Sequence, residues 1–160
     1  MNLFRKVKEA VLNALRQGWS PDAVSWSIAW AVTWGLFPIY GFTMAILGLI
    51  GLIWKLNHPI MQSINYIISP LKFILIIPYI RLGELLFQVE NPFSLSIPEF
   101  TKRFKDAPWE TLAEFAATFL HAIVGWGVTV PILMAVSYFT TRFILRSGEA
   151  ARDALSEARS

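Results

Sequence analysis

The side chains that could do chemistry in this chain are few, and most of them stand inside otherwise apolar stretches. Between residues 57 and 84 they are Asn57, His58, Gln62, Asn65, Lys72, Arg81 and Glu84. Ionisable groups at membrane depth are costly and are often functional. Lys72 and Arg81 could therefore supply positive charge to an anionic ligand. Alternatively, Arg81 and Glu84 pair on one helical face at a membrane interface, and the Lys72 ammonium reaches that interface along its apolar stem.

The amides of Asn57 and Asn65 belong to a polar cluster for which the sequence allows two roles. The cluster could line a cavity, or it could form hydrogen bonds between helices as structural support. His121 stands alone in the last apolar stretch, where a packing role and a proton relay are the alternatives. No hydrolase elbow, phosphate loop, paired-histidine helix or carboxylate dyad is present. Because the chain also has no cysteine and no histidine pair at metal-ligand spacing, we expect no enzyme, metal site or cofactor.

A third chemical feature is the stretch GLFPIYGFT, residues 35–43, which interrupts a charge-free block from Ala23 to Trp54. As one straight helix this block would be about 48 Å long, whereas a bilayer core is only about 30 Å thick. Pro38 should end a first helix, Gly41 should let the backbone turn, and Thr43 should cap a second helix. A helix N-terminus binds anions readily, so the bend is a predicted phosphate or carboxylate site. The alternative is a plain turn at the far membrane surface.

Composition predicts the elements that must position these residues. The chain has 160 residues, 55% hydrophobic and 16% charged, and the charge-free blocks are 23–54, 73–80 and 115–141. Such blocks are typical of membrane helices. We predict an all-α, polytopic membrane protein with two longer kinked helices and a broken hairpin that either crosses the bilayer twice or is re-entrant.

The predicted order of elements is as follows. A basic amphipathic interfacial helix (1–17) precedes a membrane domain (18–146) and a polar tail (147–160) that is a helix extension or disordered. The membrane domain comprises a hairpin (21–56), a helix (59–87) that Pro70 and Pro78 should kink or break, a connector (91–109) and a helix (110–146). A capping box, Ser96-x-x-Glu99, should start an interfacial helix in the connector. Trp26, Trp30 and Trp34 form one helical stripe, for packing, lipid contact or stacking on a headgroup or isoprenoid.

Lysine and arginine residues predict the orientation. They are concentrated near both ends of the chain, which places both termini in the cytoplasm and requires an even number of crossings. The hairpin satisfies this requirement either as two short crossings or as a re-entrant element. In both cases its bend must be packed against protein or line a wet cavity. We expect a bacterial inner-membrane location, membrane lipids as partners and no nucleic-acid partner.

An ordered set of residues resembles the bacterial membrane family filed as domain of unknown function 2062. The set is Gly18-x-Ser20-Pro21, Gly35, Pro38-x-x-Gly41-x-Thr43, Asn57-x-Pro59, Ser69-Pro70 and Gly83, and the resemblance covers roughly residues 17–87. The family pattern has glutamine at the position of Phe42 and asparagine at that of Ser69. The resemblance implies an integral inner-membrane protein without a settled activity. Some relatives resemble fusions to lipid-linked glycosyltransferases, which favours lipid-linked substrates.

Together these features predict a small membrane protein that binds or translocates an anionic amphiphile, such as a phospholipid or polyprenyl phosphate. The predicted binding residues are Pro38, Gly41, Thr43, Asn57, Asn65, Lys72 and Arg81. The alternative is a non-transporting scaffold or regulatory partner of a lipid-modifying enzyme, and a homo-oligomer is also open. The sequence does not identify the substrate.

Overall fold

The computed structural model describes residues 3–39, 41–90 and 96–157. In these residues the chain forms six helices and is all-α, as predicted. They are α1 (Leu3–Arg16), α2 (Pro21–Gly35), α3 (Thr43–Ile53), α4 (His58–Leu86), α5 (Ile97–Asp106) and α6 (Pro108–Glu157). Residues 91–95 of the predicted connector and 158–160 of the predicted tail lie outside the described residues.

The two short helices of the hairpin begin within one residue of the predicted positions. A side chain caps α2, but none caps α3. At the start of α2, the Ser20 hydroxyl accepts a hydrogen bond from the Ala23 N–H at 3.2 Å, and Pro21 occupies the first helical position. The prediction that Thr43 caps α3 is wrong, because Phe42 precedes the helix and Thr43 is its first residue. Phe42 has no side-chain oxygen or nitrogen, so no side chain caps α3 in this way.

Helix α4 is continuous over 29 residues, with Pro70 and Pro78 inside it. Of the two predicted effects of these prolines, the structure excludes a break, and a kink stays a prediction. Each proline removes one backbone donor and crowds the preceding turn. Helix α4 also packs along both α2 and α6, and these contacts stabilise it as one helix. Asn57 caps α4 by accepting a hydrogen bond from the Ile60 N–H at 3.1 Å.

The last two helices differ from prediction in detail. Ser96 precedes α5, but its side chain makes no capping hydrogen bond, so the predicted capping box is wrong on the serine side. Helix α6 begins at Pro108 and ends at Glu157, beyond both predicted ends, so the tail continues the helix. Arg103 of α5 and Glu114 of α6 form an ion pair at 2.9 Å that holds the two helices together.

Helix α2 packs against α1, α3, α4 and α6. Its buried residues are mostly small: Val24, Ser25, Ser27, Ala29, Ala31, Thr33 and Gly35. Small side chains let neighbouring helices approach closely. The Ser27 hydroxyl illustrates this, since it accepts a hydrogen bond from the Asn57 backbone N–H at 2.9 Å.

Helices α4 and α6 run antiparallel and touch at two glycines. A Cβ at Gly83 would lie 2.0 Å from the His121 carbonyl oxygen, and a Cβ at Gly125 would lie 2.1 Å from the Tyr79 carbonyl oxygen. Both distances are far below van der Waals contact. The backbones therefore meet directly, and only glycine fits at these two positions.

Within the described residues, α4 and α6 are the two helices long and apolar enough to cross a membrane. Their most apolar windows have mean hydropathy values of 1.6 and 1.9, yet only 28% and 17% of those residues are buried. The exposed large side chains on these helices include Phe73, Ile74, Ile132, Phe139 and Phe143. The core helix of a soluble protein would instead be mostly buried.

Candidate functional site

The bend between α2 and α3 lies beside the middle of α4. Gly35, the last residue of α2, packs against Asn65 and Ile68, which come seven and ten residues after the start of α4 at His58. Beyond Ile68, α4 continues to Leu86, a further distance of about 27 Å. The end of α2 thus lies a little over a third of the way along α4, and the cavity lining continues to Phe73 near its middle.

A cavity of about 310 Å³ opens at this bend. It is lined by Gly41, Thr43, Met44, Asn65, Tyr66, Ser69, Pro70 and Phe73. Three of the seven predicted binding residues, Gly41, Thr43 and Asn65, therefore share one site. Gly41 has a φ of +99°, a left-handed conformation that favours glycine, so it turns the chain as predicted.

The first turn of α3 gives the cavity a positive end. Thr43 and Met44 are the first two residues of this helix, and both line the cavity. The N–H groups of a first helical turn have no partners within the helix, and the helix dipole adds a partial positive charge there. With no side-chain cap from Phe42, this end of α3 is suited to an anionic group.

Asn65 supplies the second polar element of the cavity. Its side chain is 3% exposed, and its Oδ1 atom has no hydrogen-bond partner within the described residues. Buried polar atoms are nearly always paired. This oxygen is shielded from solvent and lies towards Gly35 at the end of α2. Ser69, one turn further along, donates its hydroxyl hydrogen to the Asn65 backbone oxygen at 2.6 Å.

Lys72 lies close to the site along α4 but does not line the cavity. It is the central residue of α4 and is 3% exposed. It follows Ile68 by four residues and Asn65 by seven, so it shares the face of α4 that meets the end of α2. A buried lysine therefore stands at about the same level as the bend.

The other predicted binding residues lie apart from the cavity lining. Pro38 is buried in the bend without lining the cavity. Asn57 is buried at the start of α4, and its side-chain oxygen is used in the helix cap. Arg81, whose side chain is 49% exposed, pairs with the buried Glu84 at 2.7 Å, as the spacing predicted.

Sequence reasoning missed the rest of the cavity wall on α4. Tyr66, Ser69, Pro70 and Phe73 follow Asn65 at helical spacing, so a helical projection from Asn65 would have found part of this face.

Sequence reasoning also missed a cluster of polar and charged side chains at the opposite end of α2. There Arg142 of α6 pairs with Asp22, and the Tyr138 hydroxyl donates to Asp22 at 2.9 Å.

The tryptophan stripe packs against aromatic rings of the protein. Trp26 lies against Tyr138 with ring centroids 4.5 Å apart, Trp30 stacks on Trp54 at 5.2 Å, and Trp34 meets Trp126 at 5.1 Å. Trp126 also donates its indole N–H to the Thr33 carbonyl oxygen at 3.0 Å. This arrangement favours the packing role of the stripe.

A comparison with protein families finds one described as "Uncharacterized protein conserved in bacteria (DUF2062)", whose model matches residues 4–153. The match extends well beyond the segment 17–87 that carries the sequence resemblance, and it includes nearly all of α6. No curated protein and no solved structure matches the chain.

Proposed function

The chain belongs to the DUF2062 family of bacterial proteins, and we propose that it is a multi-pass inner-membrane protein whose hairpin bend binds the phosphate of an amphiphile. Phospholipids and polyprenyl phosphates are the ligands of this class. The observation that carries the proposal is the cavity beside the first turn of α3, near the middle of α4.

Membrane insertion is supported by the surfaces of the two long helices. Helix α4 is about 43 Å long and α6 about 75 Å, so each exceeds the roughly 30 Å hydrocarbon core. Many of their large apolar side chains face outward, among them Phe73 and Ile74 of α4 and Phe139 and Phe143 of α6. In water such an exposed apolar surface would promote aggregation, whereas in a bilayer it contacts lipid tails.

A re-entrant hairpin is supported by the lengths of its helices. Helix α2 is about 22 Å long and α3 about 16 Å, and both are shorter than the hydrocarbon core. If α4 spans the bilayer, the bend stops near the midplane. There Pro38 and Thr43 are buried and Phe37 lies against Trp126 of α6, whereas Gly41 and Phe42 are exposed. Irregular backbone at membrane depth needs protein cover or a wet cavity, and the cavity beside Gly41 supplies the second.

The charges support the orientation with both termini in the cytoplasm. The end of the molecule that holds α1, the start of α2 and the last part of α6 carries Arg5, Lys6, Lys8, Arg16, Lys55, Arg142 and Arg146. The opposite end, with α5, carries Lys102, Arg103 and Lys105. The excess of basic residues at the first end agrees with the positive-inside rule.

The site chemistry supports a phosphate as the bound group. The first turn of α3 offers backbone N–H donors and a positive dipole end, and broken helices of membrane transporters bind anionic groups in this way. The buried Lys72 lies at the same level of the bundle and adds positive charge when its amine is protonated. Apolar lining residues such as Met44, Tyr66 and Phe73 suit the first carbons of an acyl or isoprenoid chain.

Calorimetry with two short-chain lipids tests the proposal. Dioctanoyl phosphatidic acid and dioctanoylglycerol share the same tails and differ by the phosphate. Purified protein in detergent should bind the first saturably and the second weakly. Equal binding of the two, or no saturable binding of phosphatidic acid, would contradict it.

Transbilayer movement is tested separately in vesicles that contain a fluorescent phosphatidic acid. Protein-dependent movement between leaflets supports translocation. Binding without movement, together with one membrane enzyme that co-purifies in fixed ratio, supports instead the scaffold or regulatory role.

A further inference from the structure

The first helix is docked on the bundle but stands apart from the last part of α6. Helix α1 packs on α2 and α4, and its Ala14 is buried in the hydrophobic core. Within the described residues, however, no Cα atom of α1 lies within 8 Å of a Cα atom of α6. Helices in direct contact have axes only about 8–10 Å apart, so a gap remains between these two backbones.

Two adjoining cavities of about 560 Å³ and about 330 Å³ occupy this gap. Both are lined by Leu12 and Leu15 of α1 and by Ile144 and Leu145 of α6, and together we call them the α1–α6 groove. The larger cavity has room for roughly eighteen water-sized groups, which is close to the number of carbons in one acyl chain. The groove is therefore of the right size and polarity for a lipid tail.

Two basic side chains of α1 also line the groove. Lys8 lines the smaller cavity and Arg16 the larger one. Both are exposed, and neither forms an ion pair in the part of the chain that the structure describes. The nearby carboxylates of Glu9 and Asp22 are paired with other arginines. The groove thus combines an apolar wall with positive charge, which is complementary to an anionic amphiphile.

We propose that the α1–α6 groove binds one anionic phospholipid of the cytoplasmic leaflet. One acyl chain lies along the shared apolar wall, and the headgroup is flanked by Lys8 and Arg16, which stand about 12 Å apart along α1. This assignment rests on the proposed membrane insertion with cytoplasmic termini. It concerns a second site, because none of the groove residues lines the cavity at the hairpin bend.

A local reporter distinguishes the groove from the rest of the surface. Gly148 lines the larger cavity and Gly127 lies elsewhere on α6, and a Cβ at either glycine would meet nothing within 4 Å. Because the chain has no native cysteine, Gly148→Cys and Gly127→Cys can each carry one fluorescent dye. The full-length protein in detergent is titrated with phosphatidylglycerol or phosphatidylcholine that carries a quenching nitroxide on one tail.

The anionic lipid should quench the dye at Gly148→Cys saturably and at roughly twentyfold lower concentration than phosphatidylcholine. Each basic residue near a membrane surface contributes about fivefold, and two line the groove. At Gly127→Cys the two lipids should quench alike. Equal quenching by the two lipids at Gly148→Cys, or quenching that does not saturate, overturns the proposal. Phosphate binding at the bend is decided independently, by calorimetry with phosphatidic acid.

Variants of α1 link the headgroup preference to its residues. Lys8→Gln and Arg16→Gln should each reduce the preference for phosphatidylglycerol at Gly148→Cys about fivefold. Lys6→Gln removes the same charge from an exposed position of α1 that lines neither cavity, and it should change the preference less than twofold. If Lys6→Gln has as large an effect as Lys8→Gln, the preference reflects the overall charge of α1 and the groove assignment is wrong.

Two neighbouring residues of α6 test the tail contact. Ile144 and Phe143 are 62% and 73% exposed, but only Ile144 lines the groove. Ile144→Ser should weaken saturable quenching by both lipids several-fold, because it removes apolar surface from the wall. Phe143→Ser should leave the quenching unchanged. The same effect from both changes would exclude a lipid tail in the groove.

Discussion

Asn57 and Asn65 are both buried asparagines associated with α4, yet their amides are used differently. The Asn57 oxygen accepts the Ile60 N–H and so caps the helix, whereas the Asn65 oxygen has no hydrogen-bond partner within the described residues and lies towards Gly35. Sequence spacing alone puts both in one polar cluster. The structure assigns Asn57 to helix capping and places Asn65 in the wall of the cavity.

The cap predicts a purely structural effect at Asn57. Asn57→Ala should lower the free energy of unfolding by about 1 kcal/mol, the usual value of an N-cap, with phosphatidic acid affinity unchanged. Asn57→Ser keeps a capping oxygen and should stay close to wild type. Thermal unfolding in detergent and calorimetry measure the two effects, and a loss of lipid affinity in folded Asn57→Ala would contradict this division of roles.

Met44 gives a direct test of the anion site. As the second residue of α3 it is exposed and lines the cavity. Met44→Glu places a carboxylate in the first helical turn, where it favours the helix but occupies and repels the phosphate position. Phosphatidic acid binding should be lost while the fold is retained. Met44→Gln, of similar size and neutral, should bind within a few-fold of wild type, and equal binding by both variants would refute the site.

Lys72 should act through its charge. Lys72→Met removes a buried ammonium at the level of the bend, and the loss of about 1.4 kcal/mol of attraction to an anion lowers its affinity roughly tenfold. Lys102→Met, on the exposed surface of α5, is the control and should leave affinity unchanged. Calorimetry with phosphatidic acid compares them; the charge contribution is excluded if the two variants bind equally well.

At the scale of elements, close packing between helices determines the architecture. Helix α2 uses small residues to lie among four other helices, and α4 and α6 meet backbone to backbone at Gly83 and Gly125. Helix association in a membrane depends on such contacts, because burying apolar surface drives little there. Pro70 and Pro78 are tolerated in α4 because its neighbours hold it in place.

Two glycines of α6 provide a matched pair for this argument. Gly125→Ala forces a methyl group against the Tyr79 backbone and should destabilise the fold by about 1–3 kcal/mol. Gly127→Ala meets nothing within 4 Å and should be neutral or stabilise the helix by up to about 1 kcal/mol. Unfolding in detergent measures both. The account of the α4–α6 contact fails if the two changes have the same effect.

At the scale of the whole molecule, the hairpin with its bend beside the middle of α4 is the defining feature. The all-α class, the helix start at Pro21 and the turn at Gly41 followed from the sequence, because proline, glycine and the Ser20 cap have strong local preferences. The sequence left open whether Pro70 and Pro78 break α4, because that depends on packing against α2 and α6. The cavity wall on α4 did not follow from the sequence either, since it depends on which face of α4 meets the bend.

Charge alone could not separate the predicted binding residues. Lys72 and Arg81 look alike in the sequence, but Lys72 is buried at the level of the bend whereas Arg81 pairs with Glu84 nearer the end of α4. Only the packing distinguishes the two, since it fixes how far along α4 the hairpin reaches. The level of the bend is therefore the central structural claim.

The accessibility of a cysteine at the bend tests this claim most directly. In a chain without native cysteine, Ile39→Cys can be labelled in intact membranes with a membrane-impermeant maleimide from each side. Asn13→Cys on α1 and Glu90→Cys after α4 mark the two surfaces. We predict that Asn13→Cys reacts from the cytoplasmic side, Glu90→Cys from the opposite side, and Ile39→Cys from neither at a comparable rate. Labelling of Ile39→Cys from outside as fast as Glu90→Cys would contradict a bend held within the bilayer.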